Sequence, residues 1–258
     1  MTTQNLLLEL FVEELPPKAL KKLGEAFAQA LAASLKASGL TEDDTETTAY
    51  ATPRRLAAHI TKVREVAPEK AVSQKLMPVS IGLDAAGHAT PALLKKLAAL
   101  GADADIVPNL RRSGEGKAEA LFYDSVVPGA TLAEGLQKAL DAAIAALPIP
   151  KVMSYQLADG WTSVHFVRPA HGLVALHGSA VVPVSALGLQ AGNTTLGHRF
   201  EAQKNPVVIE HADAYADTLK AEGAVIASFA ERRAEIARQL AEKAGDLRPV
   251  DDPALLDE

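Results

Sequence analysis

Cysteine is absent from the 258 residues, which excludes disulfides, thiolate zinc sites and cysteine nucleophiles; a metal would have to be held by histidine and carboxylate groups. A long apolar run is missing too. The opening run Asn5–Val12 has only the length of a strand, carries Glu9 in its middle and follows no basic leader. It therefore reads as neither signal peptide nor membrane span, and the expectation is a cytoplasmic protein without a membrane partner. Positive charge is not in excess: the net charge of −6 excludes wholesale electrostatic attraction to nucleic acid, so any RNA contact must be a localised basic patch. No repeat, low-complexity tract or long flexible linker interrupts the chain. What is present is a 48% hydrophobic composition, enough for a substantial core in one large domain or two ordinary ones.

The pattern opens as strand, helix, strand, strand. After Asn5–Val12, Pro16-Pro17 introduces a helix whose Leu20, Leu23, Phe27, Leu31 and Leu35 follow helical spacing up to Gly39. Thr45–Ala51 and Leu56–Val66 are rich in β-branched residues and read as strands about the turn at Thr52-Pro53. Leu93, Leu94, Leu97 and Leu100 predict a short helix closed by Gly101, and Ser113–Gly116 reads as a hairpin bend. Thr131 and Glu134 match a capping box before a helix bearing Leu136, Leu140, Ile144 and Leu147 and stopped by Pro148. Short apolar runs between Trp161 and Leu189, and again at Pro206–Glu210, predict further strands. A second capping-box match at Ser228 and Glu231 opens a final helix over Arg232–Ala244. The expected fold class is α+β, a large mixed or antiparallel sheet flanked by helices. A domain is expected over 1–205, as one body or two subdomains, and a smaller strand-helix segment over 206–258. The acidic, proline-containing end looks like a cut inter-domain segment.

Several motifs carry little chemistry. Arg111–Ala118 resembles a phosphate loop but lacks its first glycine and the hydroxyl residue after lysine. His165, His171, His177 and His198 show no metal-binding spacing, which leaves a histidine-based metal hydrolase as a remote alternative. Glu13-Glu14 reads as favouring the dipole of the following helix before it reads as an acid/base pair. No serine nucleophile elbow occurs. More informative are cations beside rigid turns: Arg54 and Arg55 after Pro53, Lys151 after Pro150, Arg168 before Pro169, and His198-Arg199 after Gly197. Arginine offers a planar fork for phosphate or carboxylate, and proline braces its neighbours. The alternative for each arginine is pairing with an internal carboxylate or a backbone carbonyl.

Five segments in order, Glu13-Glu14-Leu15-Pro16-Pro17-Lys18-Ala19-Leu20, Thr52-Pro53-Arg54-Arg55-Leu56-Ala57, Leu147-Pro148-Ile149-Pro150-Lys151-x-Met153, His165-Phe166-Val167-Arg168-Pro169-Ala170-His171 and Gly197-His198-Arg199-Phe200, resemble the beta subunit of bacterial tetrameric glycyl-tRNA synthetase. The resemblance covers the N-terminal part of that longer subunit. It implies glycine–tRNA ligase activity, and so a role in translation, only for an assembly of two alpha and two beta subunits. ATP and Mg would belong to the catalytic domain of the alpha subunit, with no catalytic residue, metal or cofactor in this chain. The partners implied are the alpha subunit and tRNA(Gly). The matched positions Arg54, Arg55, Lys151, Arg168, His171, His198 and Arg199 are candidate tRNA-binding residues. Two places depart from the family pattern, Ser154-Tyr155 where an Arg-Trp pair is usual and Leu76-Met77-Pro78 where Lys-Gly-Pro is usual, and neither is carried as a phosphate contact. The role implied is accessory, through tRNA binding or subunit assembly; the main alternative is a structural scaffold that never meets RNA.

Overall fold

A computed structural model of the chain describes residues 2–114 and 119–258; part of the segment read as a hairpin bend or degenerate phosphate loop, 115–118, lies outside the described residues. The chain runs through β1 (Thr3–Val12), α1 (Pro17–Ala37), β2 (Thr47–Thr52), β3 (Arg55–Arg64), β4 (Lys70–Pro78), α2 (Val79–Gly82), α3 (Pro91–Ala98), β5 (Arg111–Ser113), β6 (Ala120–Val127) and α4 (Leu132–Ala146). It continues through β7 (Met153–Gln156), β8 (Ser163–Phe166), β9 (Ala170–His177), β10 (Ala180–Val181), β11 (Ser185–Ala186), β12 (Leu189–Gln190), β13 (Thr194–Thr195) and β14 (Val207–Val208), then α5 (Tyr215–Ala221), α6 (Phe229–Ala244) and α7 (Pro253–Asp257). The fold is α+β with antiparallel sheets, as the patterning predicts.

Two compact units result, one of residues 1–67 with 130–258 and one of residues 68–129. Residues on both sides of Asn205 belong to the larger unit. Its centre is a five-stranded sheet in the order β10-β9-β1-β3-β2. Successive side chains of a strand point to opposite faces, and β1 uses both. Leu6, Leu8, Leu10 and Val12 enter a core shared with α1 and α4. Leu7 enters a second cluster with Val174, Leu176, Val207, Ile209, Tyr215 and Leu219, so the segment after Pro206 is needed to cover that second face.

The two helices on the first face form for local reasons. Pro17 starts α1, where a missing N–H costs nothing, and all five residues of the predicted stripe, Leu20, Leu23, Phe27, Leu31 and Leu35, are buried. Gly39 follows with φ of 77°, a left-handed turn that suits glycine after a helix end. Thr131 and Glu134 close the predicted capping box on α4, Thr131 N donating to Glu134 Oε2 at 3.0 Å and Glu134 N to Thr131 Oγ1 at 3.3 Å. At α6 only half of the predicted box is present: Glu231 N donates to Ser228 Oγ at 3.2 Å, and no return bond from Glu231 occurs among the described residues.

The smaller unit is a sheet in the order β4-β6-β5. Its core gathers Leu93 and Leu97 of α3 with Leu110 and Leu121. Strand β4 has no apolar alternation, since Lys70 to Lys75 are all exposed; its pairing with β6 makes it a strand. Among the described residues no helix is long and apolar enough to cross a membrane.

Candidate functional site

The five sequence segments, scattered between Glu13 and Phe200, meet at one end of the central sheet. Backbone hydrogen bonds stitch three of them together: Glu13 N donates to Pro169 O at 2.9 Å and Leu15 N to Pro53 O at 2.6 Å. Strand pairing sets Met153 opposite Phe166, which brings the third segment against the fourth. The fifth segment lines a cleft together with the second, because Gly197 approaches so closely that a Cβ there would stand 2.6 Å from the Gly223 backbone. His198 N donates to Gly223 O at 2.7 Å and fixes that approach. Only glycine fits at Gly197, a packing reason for the first residue of this segment.

Beneath this end lies a buried polar network on the second face of the sheet. Glu9, which shares that face with Leu7, is fully buried, and its Oε2 lies 3.2 Å from Arg55 Nε. Tyr215 donates its hydroxyl to Glu9 Oε2 and Thr195 donates to Glu9 Oε1. Arg55, only 2% exposed, also donates to Thr52 Oγ1 at 3.4 Å and to the Leu196 carbonyl. Burial first, and then the Glu9 carboxylate, push the Tyr215 hydroxyl well above its usual pKa, so it remains a donor.

Above the network opens a cleft of about 500 Å³, lined by Phe11, Thr52–Arg55, Gly197–Phe200, Ala224–Ile226, Arg232 and Glu14. Its walls are largely apolar, with Pro53, Val225, Ile226 and Phe200, and Phe200 is 82% exposed. Its cations are arginines. Arg54 sits 4.8 Å over the Phe11 ring, within 3.6 Å of Glu13, and its Nε has no hydrogen-bond partner among the described residues. Arg232, from α6, donates to Ala51 O at 2.8 Å and Ile226 O at 3.0 Å. Burial, and then the charge of Arg55, pull its pKa below the usual value, as crowded cations do. Ala224 holds a left-handed φ of 53°, unusual for a residue with a Cβ and typical of sites whose backbone is constrained by its surroundings.

Residues 6–258 match the family described as Glycyl-tRNA synthetase beta subunit. The chain belongs to that family. A Glycine–tRNA ligase beta subunit of Acidovorax ebreus (strain TPSY) is 71% identical over 263 residues, covering 100% of this chain and 36% of the relative. That of Dechloromonas aromatica (strain RCB) is 68% identical over 270 residues, covering 100% of this chain and 38% of the relative. The chain therefore spans little more than a third of the length of these curated relatives.

Within the synthetase family motifs the candidate cations divide by burial. Arg55 faces inward to Glu9. Arg168 is half-buried and donates to Glu14 O and Val167 O, each at 3.0 Å, with Met153 Sδ 3.3 Å away. Arg54 is half-buried beside Glu13, and the exposed His171 meets the same Glu13 through Nε2 at 3.0 Å. Glu13 thus holds Arg54 and His171. Lys151, His198 and Arg199 are exposed; His198 Nδ1 accepts from Phe200 N and Glu201 N, while Arg199 and Lys151 make no side-chain hydrogen bond or ion pair among the described residues. Lys151 is not on the cleft lining. No group of three or more His, Asp or Glu residues able to hold a metal occurs among the described residues. Among the cleft residues that sequence reasoning does not single out are Phe11, Phe200 and Arg232. Phe200 closes one of the family segments but carries no charge to mark it, and nothing local to Arg232 signals that its helix returns to Ala51.

Proposed function

We propose that this chain is a non-catalytic, RNA-facing region of a glycine–tRNA ligase beta subunit, supporting the charging of tRNA(Gly) with glycine by phosphate contacts around the cleft. ATP and Mg chemistry falls to a separate alpha subunit in an assembly of two alpha and two beta chains, and this chain supplies no catalytic residue. The observation that carries the reading is the meeting of Arg54 and Arg199, from motifs far apart in sequence, on one open cleft in a protein of net charge −6. Such a local concentration of guanidinium groups suits a polyanion, since neutralising phosphates releases condensed counterions.

The competing reading is subunit assembly or pure scaffolding. It is favoured by the internal commitments of Arg55 to Glu9 and of Arg168 to backbone carbonyls. These are the alternative uses of arginine, and they remove both residues from any fair test of RNA contact. The exposed pair is the fair test. An Arg199→Ala/Lys151→Ala variant should fold normally, bind tRNA(Gly) more weakly, and lower the slope of log affinity against log salt by about one for each phosphate no longer neutralised. Identical affinity and slope in variant and parent sink the RNA reading; loss of alpha-subunit capture with tRNA affinity unchanged selects assembly.

A further inference from the structure

We infer that the cleft takes a single unpaired nucleotide of an RNA strand, its base laid on Phe200 and its phosphate at Arg199. This rests on the RNA-facing reading above and specifies the form of RNA recognised. Two properties of the cleft lead to it.

The first is the combination of surfaces. Phe200 leaves 82% of its surface to solvent at the mouth of the cleft, and its neighbour in sequence is the exposed Arg199. The ring of His198 stands 6.2 Å from that of Phe200 in an edge arrangement, which holds the phenyl group without covering it. Behind it the walls are Pro53, Val225 and Ile226. A flat ring system whose faces are apolar, joined through a short linker to an anion, is the ligand that satisfies both kinds of wall, and a nucleotide is that ligand. A base inside a duplex has both faces covered by its neighbours, so only an unstacked one can lie on an aromatic side chain.

The second is charge and size. Of the ionisable lining residues Arg54, Arg55, Arg199, Arg232, His198 and Glu14, one alone is acidic. Arg55 and Arg54 are already paired with Glu9 and Glu13, which leaves Arg199, exposed and without an ion pair among the described residues, as the cation open to an anion. A volume of about 500 Å³ lies in the range that small ligands occupy.

The test uses the chain itself with two labelled probes, a short mixed-sequence single-stranded RNA and a blunt RNA duplex, read by fluorescence anisotropy, with melting temperature as the folding control. Phe200→Ala should weaken the single strand about ten-fold and leave the duplex within about two-fold, because base stacking on an aromatic side chain is removed while phosphate contacts stay. Phe200→Trp should restore the single strand, and Arg199→Ala should weaken both probes. If Phe200→Ala leaves the single strand unchanged while Arg199→Ala weakens both probes, the nucleotide inference is overturned and the RNA-facing reading stands. If the parent chain binds neither probe nor tRNA(Gly), both fall. If Phe200→Ala abolishes alpha-subunit capture with RNA affinity unchanged, the cleft belongs to a protein contact and the inference is likewise overturned.

Discussion

The two faces of the central sheet solve the same burial problem with different chemistry. The face under α1 and α4 is apolar throughout: Leu6, Leu8 and Leu10 of β1 meet Phe27, Leu31, Leu136 and Leu140. The opposite face begins apolar at Leu7, becomes ionic at Glu9 and Arg55, and ends at Phe11 and the open cleft. Along one strand, every second residue steps from core to salt bridge to site. The apolar face supplies stability through area removed from water. The mixed face gives part of its interior to desolvated charge, which packs less favourably but holds the Arg55 guanidinium rigidly under the cleft.

The largest expected effects break each face at its centre. Phe27→Ala should lower stability by about 3–5 kcal/mol in urea unfolding, through lost transfer energy and a cavity. Arg55→Met should cost a similar ~3–5 kcal/mol for a different reason, since Glu9 is left buried without its cation. The two are told apart by rescue. A Glu9→Gln/Arg55→Met double variant should recover much of the loss, because the amide oxygen still accepts from Thr195 or Tyr215 and no charge remains buried. No polar exchange rescues Phe27→Ala. An Arg55→Met cost under about 1 kcal/mol would mean that the ionic face contributes no more than an exposed pair does.

A step down in size is Tyr215→Phe, which keeps the ring against Tyr50, at 5.3 Å between centroids, and removes the donor to Glu9. Hydrogen bonds to charged groups are worth about 1.5–3 kcal/mol, and a loss of that order is expected in the same unfolding measurement. If the loss is instead negligible, Thr195 and Arg55 alone satisfy Glu9, and the network is smaller than its geometry.

The contrast between faces also explains what the sequence made legible. Helices α1 and α4 are readable because their apolar residues recur at helical spacing and their starts carry Pro17 or a capping box, signals local to a few residues. Glu9 is visible as an interruption in an apolar run, but its partners Arg55, Thr195 and Tyr215 come from positions far along the chain. No local pattern links them. The motif segments are recognisable as a set, yet their meeting at one sheet end depends on the register that places Phe11 opposite Arg55 and Met153 opposite Phe166. Strand β4 is not readable at all, for its exposed Lys70 to Lys75 are strand only through β6.

The smallest expected effect lies at the far end of the mixed face, where Asp213 accepts from Asn5 Nδ2 at 2.7 Å and meets His59 Nε2 at 2.7 Å. Burial raises the Asp213 pKa, but the hydrogen bonds from Asn5 and His59, with the His59 and His211 charges, outweigh it and leave the value below the usual one. A carboxyl group depressed in the folded state contributes stability that is complete above its unfolded pKa of about 4 and is lost as pH falls through the lower folded value. Asp213→Asn should therefore be less stable than the parent at pH 6 and converge with it as pH is lowered below about 4. The side chain is 51% exposed, so solvent screening holds the difference below about 1 kcal/mol. That marks the limit of the comparison: the same acid-cation chemistry weighs heavily at the buried Glu9 and lightly at Asp213, because only the first leaves a charge with nowhere to go when its partner is removed. A difference between Asp213→Asn and parent that grows toward low pH would reverse the sign and show that Asp213 is held protonated.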